Sequence, residues 1–567
     1  MKRIIAPVVL TSLLLAQIIP VFVFAQQHSP ASTSSDGPAS RTTRREMRPV
    51  GPIADITRDF NEALSVVQQQ YVDGQKLNYN DVFKSSIIGM LRSLDPHSNY
   101  YDREEYDELK TDQRSEYTGI GASIQTYLYQ GQADTYITAT FDKSPAARAG
   151  LRFGDRIVEV DGVKMAGRGS LEVRDKIRGP RGSQVVITIE RASDKRLAKV
   201  EITRDVVPQP SIPDAYLLKP GVGYIDMTRG FNYTTTDELL DALEVLHSKG
   251  MQSLVLDLRN NPGGFFDQAI HVAEVFLKNG QLILTQKGRD GLRDNTYESR
   301  NYKPDLVPLV ILINENTASA SEIVAGAMQD HDRALIVGQT SFGKGLVQSI
   351  IPLEGGGGLT LTSAKYYTPS GRLIQRDYTH GGFYDYYTRG GLTHDNEKLA
   401  VKTTDQEKKT DTGRAVYGGG GIMPDEDVKP RTLNVTQRRL LTPTFLFTRE
   451  LVNGRLKGFE SSRVVTPIAA AKDPQIDSIR ISDPLFKAFK DFALADPAFN
   501  VTAAQIDRYR PFLELELRFH LATVVYGRVI ADRVFVLADD PQVSKAMDIL
   551  PKARDLSAGR TSSSTQP

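Results

Sequence analysis

The chain of 567 residues contains no cysteine. Without a thiol there is no disulfide, no thiolate metal site, no lipid-modified cysteine and no cysteine nucleophile. Histidine is scarce and scattered, at positions 28, 97, 247, 271, 331, 380, 394 and 520, with no HExxH and no close pair. That spacing argues against a zinc hydrolase. A charge of one sign is missing too: 70 Lys+Arg against 69 Asp+Glu. The chain is therefore no general polyanion sink, and no local basic patch suggests a nucleic-acid partner. With 40% hydrophobic and 25% charged residues, it is neither a disordered chain nor a polytopic membrane protein. Its length asks for roughly two to four domains. Hydrolytic chemistry here would have to rest on Ser, Thr, Lys or carboxylates.

The amino terminus carries an address. Lys2 and Arg3 precede an apolar run from Ile4 to Ala25, and a polar stretch follows to Arg48. This is the pattern of a charged region, an apolar region and a small-residue cleavage point at Ala25. The run is also just long enough to span a bilayer. Residues 1–25 are thus expected to be a cleaved signal peptide or a retained membrane anchor. Either way the remainder works outside the cytoplasm, in the periplasm or cell envelope.

Residues 26–50 are polar and Ser/Thr-rich and read as a linker. In 51–113 the spacing is helical, with stripes Ile53, Ile56, Phe60, Leu64, Val67 and Val82, Ile87, Ile88, Met90, Leu91, Leu94, ended by Asp95-Pro96. In 114–205 short β-branched runs alternate with Gly, Pro and Asp, predicting a β-rich module. From 206 to 432 strands alternate with helices, predicted near 237–248, 268–277 and 320–329, as in helices packed on a sheet. An aperiodic stretch at about 376–420 reads as an insertion. Residues 433–556 are mostly helical by pattern, and 557–567 read as a disordered tail.

Three clusters could carry chemistry. In Asn314-Glu315-Asn316-Thr317-Ala318-Ser319-Ala320-Ser321-Glu322-Ile323, small and hydroxyl residues stand between a strand and an apolar helix. A serine there is exposed at a sheet edge, beside helix N–H groups suited to an oxyanion. Helix capping explains the same residues equally simply. Gly338-Gln339-Thr340-Ser341-Phe342-Gly343-Lys344-Gly345 comes close to a phosphate-binding loop, but Gly345 stands where the Mg²⁺-holding hydroxyl should be. A lysine in such a turn has another use: once desolvated, its amine is neutral and can act as a general base. Asp257-Leu258-Arg259-Asn260-Asn261-Pro262-Gly263-Gly264 ends a strand in a turn whose N–H groups could face a ligand, or is an ordinary strand-to-helix turn.

Together these clusters closely resemble the carboxyl-terminal processing peptidases, the tail-specific proteases of peptidase family S41. The resemblance covers about residues 50–375 and rests on DLRNNPGG, TASASEIVAG and SFGKGLVQ. It is reinforced upstream by LRSLDPHSNYYDREEYDEL and TGIGASI, by SPAARAGLRFGD with IVEVDG, and downstream by TSAKYYTPSGRLIQ and GGIMPDEDV. It implies a multidomain α/β protein: a ClpP/crotonase-like α/β serine protease core, an inserted β-rich PDZ domain, and helical N- and C-terminal regions. It also implies a serine endopeptidase with a Ser–Lys dyad and no cofactor or metal. Ser319 falls on the nucleophile and Lys344 on the base, and their 25-residue interval matches the family's. Gln348 would orient the amine, and the amides of Ala320 and Gly263 or Gly264 would hold the oxyanion. Thr317 and Ser321 would be supporting residues.

In the PDZ domain, Gly119, Ile120 and Gly121 would cradle the free carboxylate of a peptide that adds as a strand. The implied partners are protein substrates with accessible, apolar C-termini; an adaptor protein and a homo-oligomer are compatible but not specified. Arg178, in the loop Arg178-Gly179-Pro180-Arg181-Gly182, is a candidate for gating, by bridging to the catalytic unit, or a solvated hairpin residue. Two rivals remain. A non-cleaving PDZ scaffold would not need Ser319, Lys344 and Gln348, and a crotonase-like lyase would need neither PDZ domain nor Lys344.

Overall fold

The computed structural model describes residues 53–112, 116–379, 386–387, 407–464 and 474–557. The apolar run 4–25, the linker and the tail beyond Ser557 lie outside the described residues. Among those described, no helix is long and apolar enough to cross a membrane.

Ile53–Gln70 and Tyr79–Arg92 are helices, as the three- and four-residue spacing predicts, and lie in a unit of their own. Asn78 starts the second by accepting the Asn80 N–H. The stripe of the first helix is not a core face: Ile53, Ile56, Phe60 and Val67 are exposed. Periodicity reports a helix, not a partner to bury it.

The second unit begins at Asp95. Its centre is a six-stranded sheet in the order Asp214–Lys219, Val222–Asp226, Ser253–Asp257, Leu309–Ile313, Ala334–Gly338, Glu426–Asp427. Only the first pair is antiparallel. Every residue of SLVLD, LVILI and ALIVG is buried, as expected for parallel strands covered on both faces. Helices Thr235–Ser248, Phe266–Phe276 and Ala320–Asp330 fill one face. The other is closed by the last helix, Pro541–Ser557, whose Val543, Ala546, Ile549, Leu550 and Ala553 pack on Val255, Val310, Leu312, Leu335 and Val337. Each fully buried Val, Leu or Ile side chain contributes roughly 1.5–3 kcal/mol, so the last helix is part of this sheet's core.

A second, antiparallel sheet stands beside it, ordered Asn99–Tyr101, Gly358–Tyr367, Leu282–Gly288, Asn295–Glu298, with Leu346–Pro352 also paired to Gly358–Tyr367. The inserted stretch, read as aperiodic, holds a short antiparallel pair, Glu407–Lys409 with Ala415–Tyr417. Arg414 pins it to the core through Asp332 and Asp425.

The β-rich module is an antiparallel sheet ordered Ala122–Tyr129, Gln132–Thr140, Arg156–Val160, Gln184–Glu190, Leu197–Thr203, with helices Pro145–Arg148 and Ser170–Ile177. Strands Glu116–Gly119 and Asp205–Pro208 pair where the chain enters and leaves it. The C-terminal helix Val435–Val452 is bolted to this module. Phe445 stacks on Tyr127 with ring centroids 4.1 Å apart, and Arg449 donates to Gly154 O at 2.6 Å and reaches Glu190 at 3.1 Å.

Candidate active site

The three chemical clusters follow three adjacent parallel strands, Ser253–Asp257, Leu309–Ile313 and Ala334–Gly338, so the topology delivers them to one edge. The carboxyl edge of an α/β sheet is where such folds hold ligands.

Ser319 sits at φ 56°, ψ −115°, immediately before the fully buried helix Ala320–Asp330. A side chain in that backbone region costs roughly 1–3 kcal/mol and persists only where surrounding bonds enforce it. Here they do. Ser319 N–H donates to the Glu322 carboxylate at 2.8 Å. Its carbonyl accepts from the N–H groups of Glu322 (2.8 Å) and Ile323 (3.0 Å) and from the Tyr366 hydroxyl (3.2 Å). Thr317 and Ser321 are buried and brace the loop: their hydroxyls donate to Leu258 O at 2.8 Å and Asn261 O at 3.2 Å.

The Pro262-Gly263-Gly264 turn lies directly against the serine. A Cβ on Gly263 would fall 2.8 Å from Ser319 Cβ and 2.9 Å from Ala320 N, so only glycine fits. Of the amides expected to hold an oxyanion, Ala320 and Gly264 have no acceptor among the described residues. Gly263 N–H does have one: it donates to Asn261 Oδ1 at 2.9 Å. Gly263 therefore contributes close approach, and its amide stiffens the turn.

Lys344 is held by its neighbours' backbone. Glu322 accepts from Gly343 N–H (2.7 Å), from Lys344 N–H (2.8 Å) and from the Ser341 hydroxyl. Tyr366 OH donates to Lys344 O at 2.8 Å, Arg376 N–H to Gly343 O at 2.9 Å, and Gly345 N–H to Gln375 Oε1 at 2.8 Å. Burial lowers the amine to a pKa of about 8, against the opposing pull of the Glu322 and Asp95 carboxylates. Among the described residues no hydrogen bond joins Lys344 Nζ to Ser319 Oγ or to Gln348. The Gln348 amide instead donates to Thr362 Oγ1 at 3.2 Å. Catalytic hydrogen bonds are often long without substrate.

Glu322 is the residue whose part sequence reasoning missed. It is fully buried, and one carboxylate binds the backbone of both the Ser319 and the Lys344 loops. Burial pushes its pKa up while the four donors pull it down, with the net shift upward. Its signal was the Ser-x-x-Glu spacing of Ser319 and Glu322, which also means a plain helix start. Beneath the glycine turn, Asp257 binds Arg259 (2.6 Å) and Tyr224 OH (2.6 Å), and Arg259 reaches Asp540 at 2.7 Å ahead of the last helix.

In the β-rich module Ile120 is buried, and Gly121 has φ +73° with no room for a Cβ, which would fall 2.3 Å from Ser144 Cβ. The carbonyls of Ile120 and Gly121 are taken by Ala146 N–H and by Phe141 N–H with Ser144 OH, while their own N–H groups have no acceptor among the described residues. Gly119 pairs with Asp205, and the adjoining strand Ala122–Tyr129 is an edge of its sheet. The Arg178 loop is tied to the module itself. Arg204 donates to Ile177 O at 2.7 Å and to Ser183 Oγ at 2.9 Å, and Arg181 meets Asp205 at 3.2 Å. Among the described residues no cluster of three or more His, Asp or Glu could hold a metal ion.

A family model described as Peptidase family S41 matches residues 221–382, and one described as PDZ domain matches residues 137–191. The chain is similar to a "Carboxy-terminal-processing protease" of Bartonella bacilliformis, 38% identical over 56% of this chain and 72% of the relative. It is similar to a "Probable CtpA-like serine protease" of Staphylococcus aureus, 34% identical over 53% of this chain and 59% of the relative. Among solved structures, a photosystem II D1 C-terminal processing protease is 30% identical, covering 56% of this chain and 83% of its own, with a TM-score of 0.34.

Proposed function

Because the chain belongs to peptidase family S41, the carboxy-terminal-processing serine proteases, and carries a PDZ domain, we propose that it is an exported endopeptidase that cuts envelope or periplasmic proteins near their C-termini. The observation that carries this reading is the Glu322 carboxylate, which binds the Ser319 and Lys344 backbone N–H groups at 2.8 Å each and so sets the two loops against one another. Neutral Lys344 takes the Ser319 proton as the serine oxygen attacks the peptide carbonyl. The amides of Ala320 and Gly264 receive the oxyanion, Gly263 lets the turn come close, and Gln348 orients the amine once substrate is seated. Lys344 then protonates the leaving amine, and water releases the acyl group by the same steps reversed. Residues 4–25 supply export, as a cleaved signal or a retained anchor.

Gly119, Ile120 and Gly121 select the substrate. The Ile120 and Gly121 N–H groups bind its terminal carboxylate, and its last residues add to the edge strand Ala122–Tyr129. Arg178, at the end of helix Ser170–Ile177 in a loop bound within the module by Arg204 and Asp205, is the candidate to communicate that docking to the catalytic unit. A tail-bearing protein substrate should therefore yield products trimmed near the C-terminus by mass spectrometry. Amidating the C-terminus of a peptide should lower kcat as well as raise KM. A change in KM alone would leave the PDZ domain a tether and remove the gating role.

The pH dependence has a definite sign. Only the unprotonated amine accepts the serine proton, so kcat/KM should climb with pH through a limb near 8, where burial places Lys344. Activity that falls between pH 6 and 9 would exclude Lys344 as the base.

A further inference from the structure

Lys344 stands between two glycines, Gly343 and Gly345, and Gly343 has φ +89°. Glycine leaves the backbone at its freest, so the base keeps one place only if its peptide groups are tethered from outside. The Glu322 carboxylate tethers the Lys344 N–H, at 2.8 Å. The carbonyl depends on a different residue. Its donor is the Tyr366 hydroxyl, at 2.8 Å, and among the described residues it has no other. The same hydroxyl lies 3.2 Å from Ser319 O. One proton is thus shared, unequally, between the carbonyls of the nucleophile and the base. Tyr366 N–H adds a third bond, to Gly345 O at 3.0 Å.

The two carbonyls do not depend on this proton alike. Ser319 O also accepts the N–H groups of Glu322 and Ile323, at 2.8 and 3.0 Å, and stays fixed to the helix start without the tyrosine. Lys344 O would lose its donor outright. The donor itself is rigid. The Tyr366 side chain is buried in the core between the helices and the six-stranded sheet, and its strand, Gly358–Tyr367, pairs with Leu282–Gly288. Burial, with the Glu322 charge second, holds the phenol well above its ordinary value. The proton is therefore present wherever Lys344 titrates.

We propose that Tyr366 is a positioning residue of the catalytic site: its hydroxyl fixes the carbonyl end of the Lys344 peptide against the Ser319 loop, as Glu322 fixes the amide end. The proposal rests on the reading of Ser319 and Lys344 as nucleophile and base. Its consequence is geometric and not electrostatic. The groups that move the Lys344 amine are burial and the Glu322 and Asp95 carboxylates. A neutral hydroxyl leaves all three in place, so it governs whether the amine is in line with the serine and not where the amine titrates.

The test compares peptide cleavage by the full-length wild type and Tyr366→Phe, with folding followed by circular dichroism. Phenylalanine keeps the ring and removes only the donor. The value of kcat should fall about 10- to 100-fold while KM stays within about twofold. The acid limb of kcat/KM should remain near 8. Tyr366→4-aminophenylalanine returns N–H donors to the same point and should restore kcat to within about fivefold of the wild type. Wild-type kcat in Tyr366→Phe overturns the proposal, as does a loss that 4-aminophenylalanine does not recover. A limb displaced in Tyr366→Phe also overturns it, because the hydroxyl would then act on the charge of the amine. Failure of the Ser–Lys reading shows separately, as a Lys344→Ala chain that still cleaves peptide. Should Tyr366→Phe fail to fold, the 4-aminophenylalanine chain decides: kcat within about fivefold of the wild type supports the proposal, and a folded but slower chain overturns it.

Discussion

Ser319→Ala and Lys344→Ala are each expected to lower peptide cleavage on the order of 10⁴- to 10⁶-fold, with the double variant no worse than either alone. Residues that move one proton between them fail as a unit, so their effects do not add. The fold should survive both changes. Alanine at 319 keeps the backbone bonds to Glu322 and Tyr366, which involve the Ser319 N–H and carbonyl and not its hydroxyl. Alanine at 344 removes an amine that forms no ion pair within 4.0 Å among the described residues and that burial already disfavours as a charge. Ser321→Ala should retain a substantial part of the activity, because its hydroxyl only braces Asn261 O at 3.2 Å. Circular dichroism and single-turnover assays on the three variants check this. An inactive Ser321→Ala beside an active Ser319→Ala would mean the wrong serine had been assigned.

What could be read from the residues alone was whatever local chemistry dictates. Runs such as LVILI and ALIVG are apolar on both faces and form the buried parallel strands. The helix read near 320–329 spans Ala320–Asp330, because a small-residue turn starts it and the buried apolar face continues to its end. Glycines 263 and 264 were legible as a turn whose N–H groups could face a ligand, but neither their close approach to Ser319 nor the competition for their amides was. Asn261 lies two residues away and its side chain takes one of them, a choice made by a rotamer and not by spacing. The C-terminal region was legible as helices only. An amphipathic stripe does not say which surface it covers, and Val543, Ile549 and Leu550 cover the catalytic sheet. The part of Tyr366 was hidden for a related reason. It lies within TSAKYYTPSGRLIQ, but the partners of its hydroxyl, Ser319 and Lys344, are 47 and 22 residues away.

Glu322→Gln should be the most damaging change that touches neither reacting atom. The carboxylate accepts two donors on each oxygen: Ser341 OH and Gly343 N–H on one, Ser319 N–H and Lys344 N–H on the other. An amide keeps one oxygen and turns an NH₂ toward the other two donors. Rotating it only exchanges which pair is lost. Ser341, whose oxygen also accepts Ile422 N–H at 2.6 Å, can meet the amide only by turning its own proton away from position 322, and the Gly343 N–H beside it still loses its acceptor. Hydrogen bonds to a charged group are worth about 1.5–3 kcal/mol each, so two lost bonds amount to about 3–6 kcal/mol. If most of that appears as displacement of Ser319 from Lys344, kcat falls by about 10²- to 10⁴-fold at 1.4 kcal/mol per tenfold. KM for a short peptide should barely change, since Glu322 is fully buried and cannot touch substrate. The residual activity carries a second signature. The Glu322 charge raises the Lys344 pKa against burial, so removing it should move the acid limb of kcat/KM to lower pH. A variant with wild-type kcat, or with a limb shifted upward, would show that the two loops do not depend on this carboxylate.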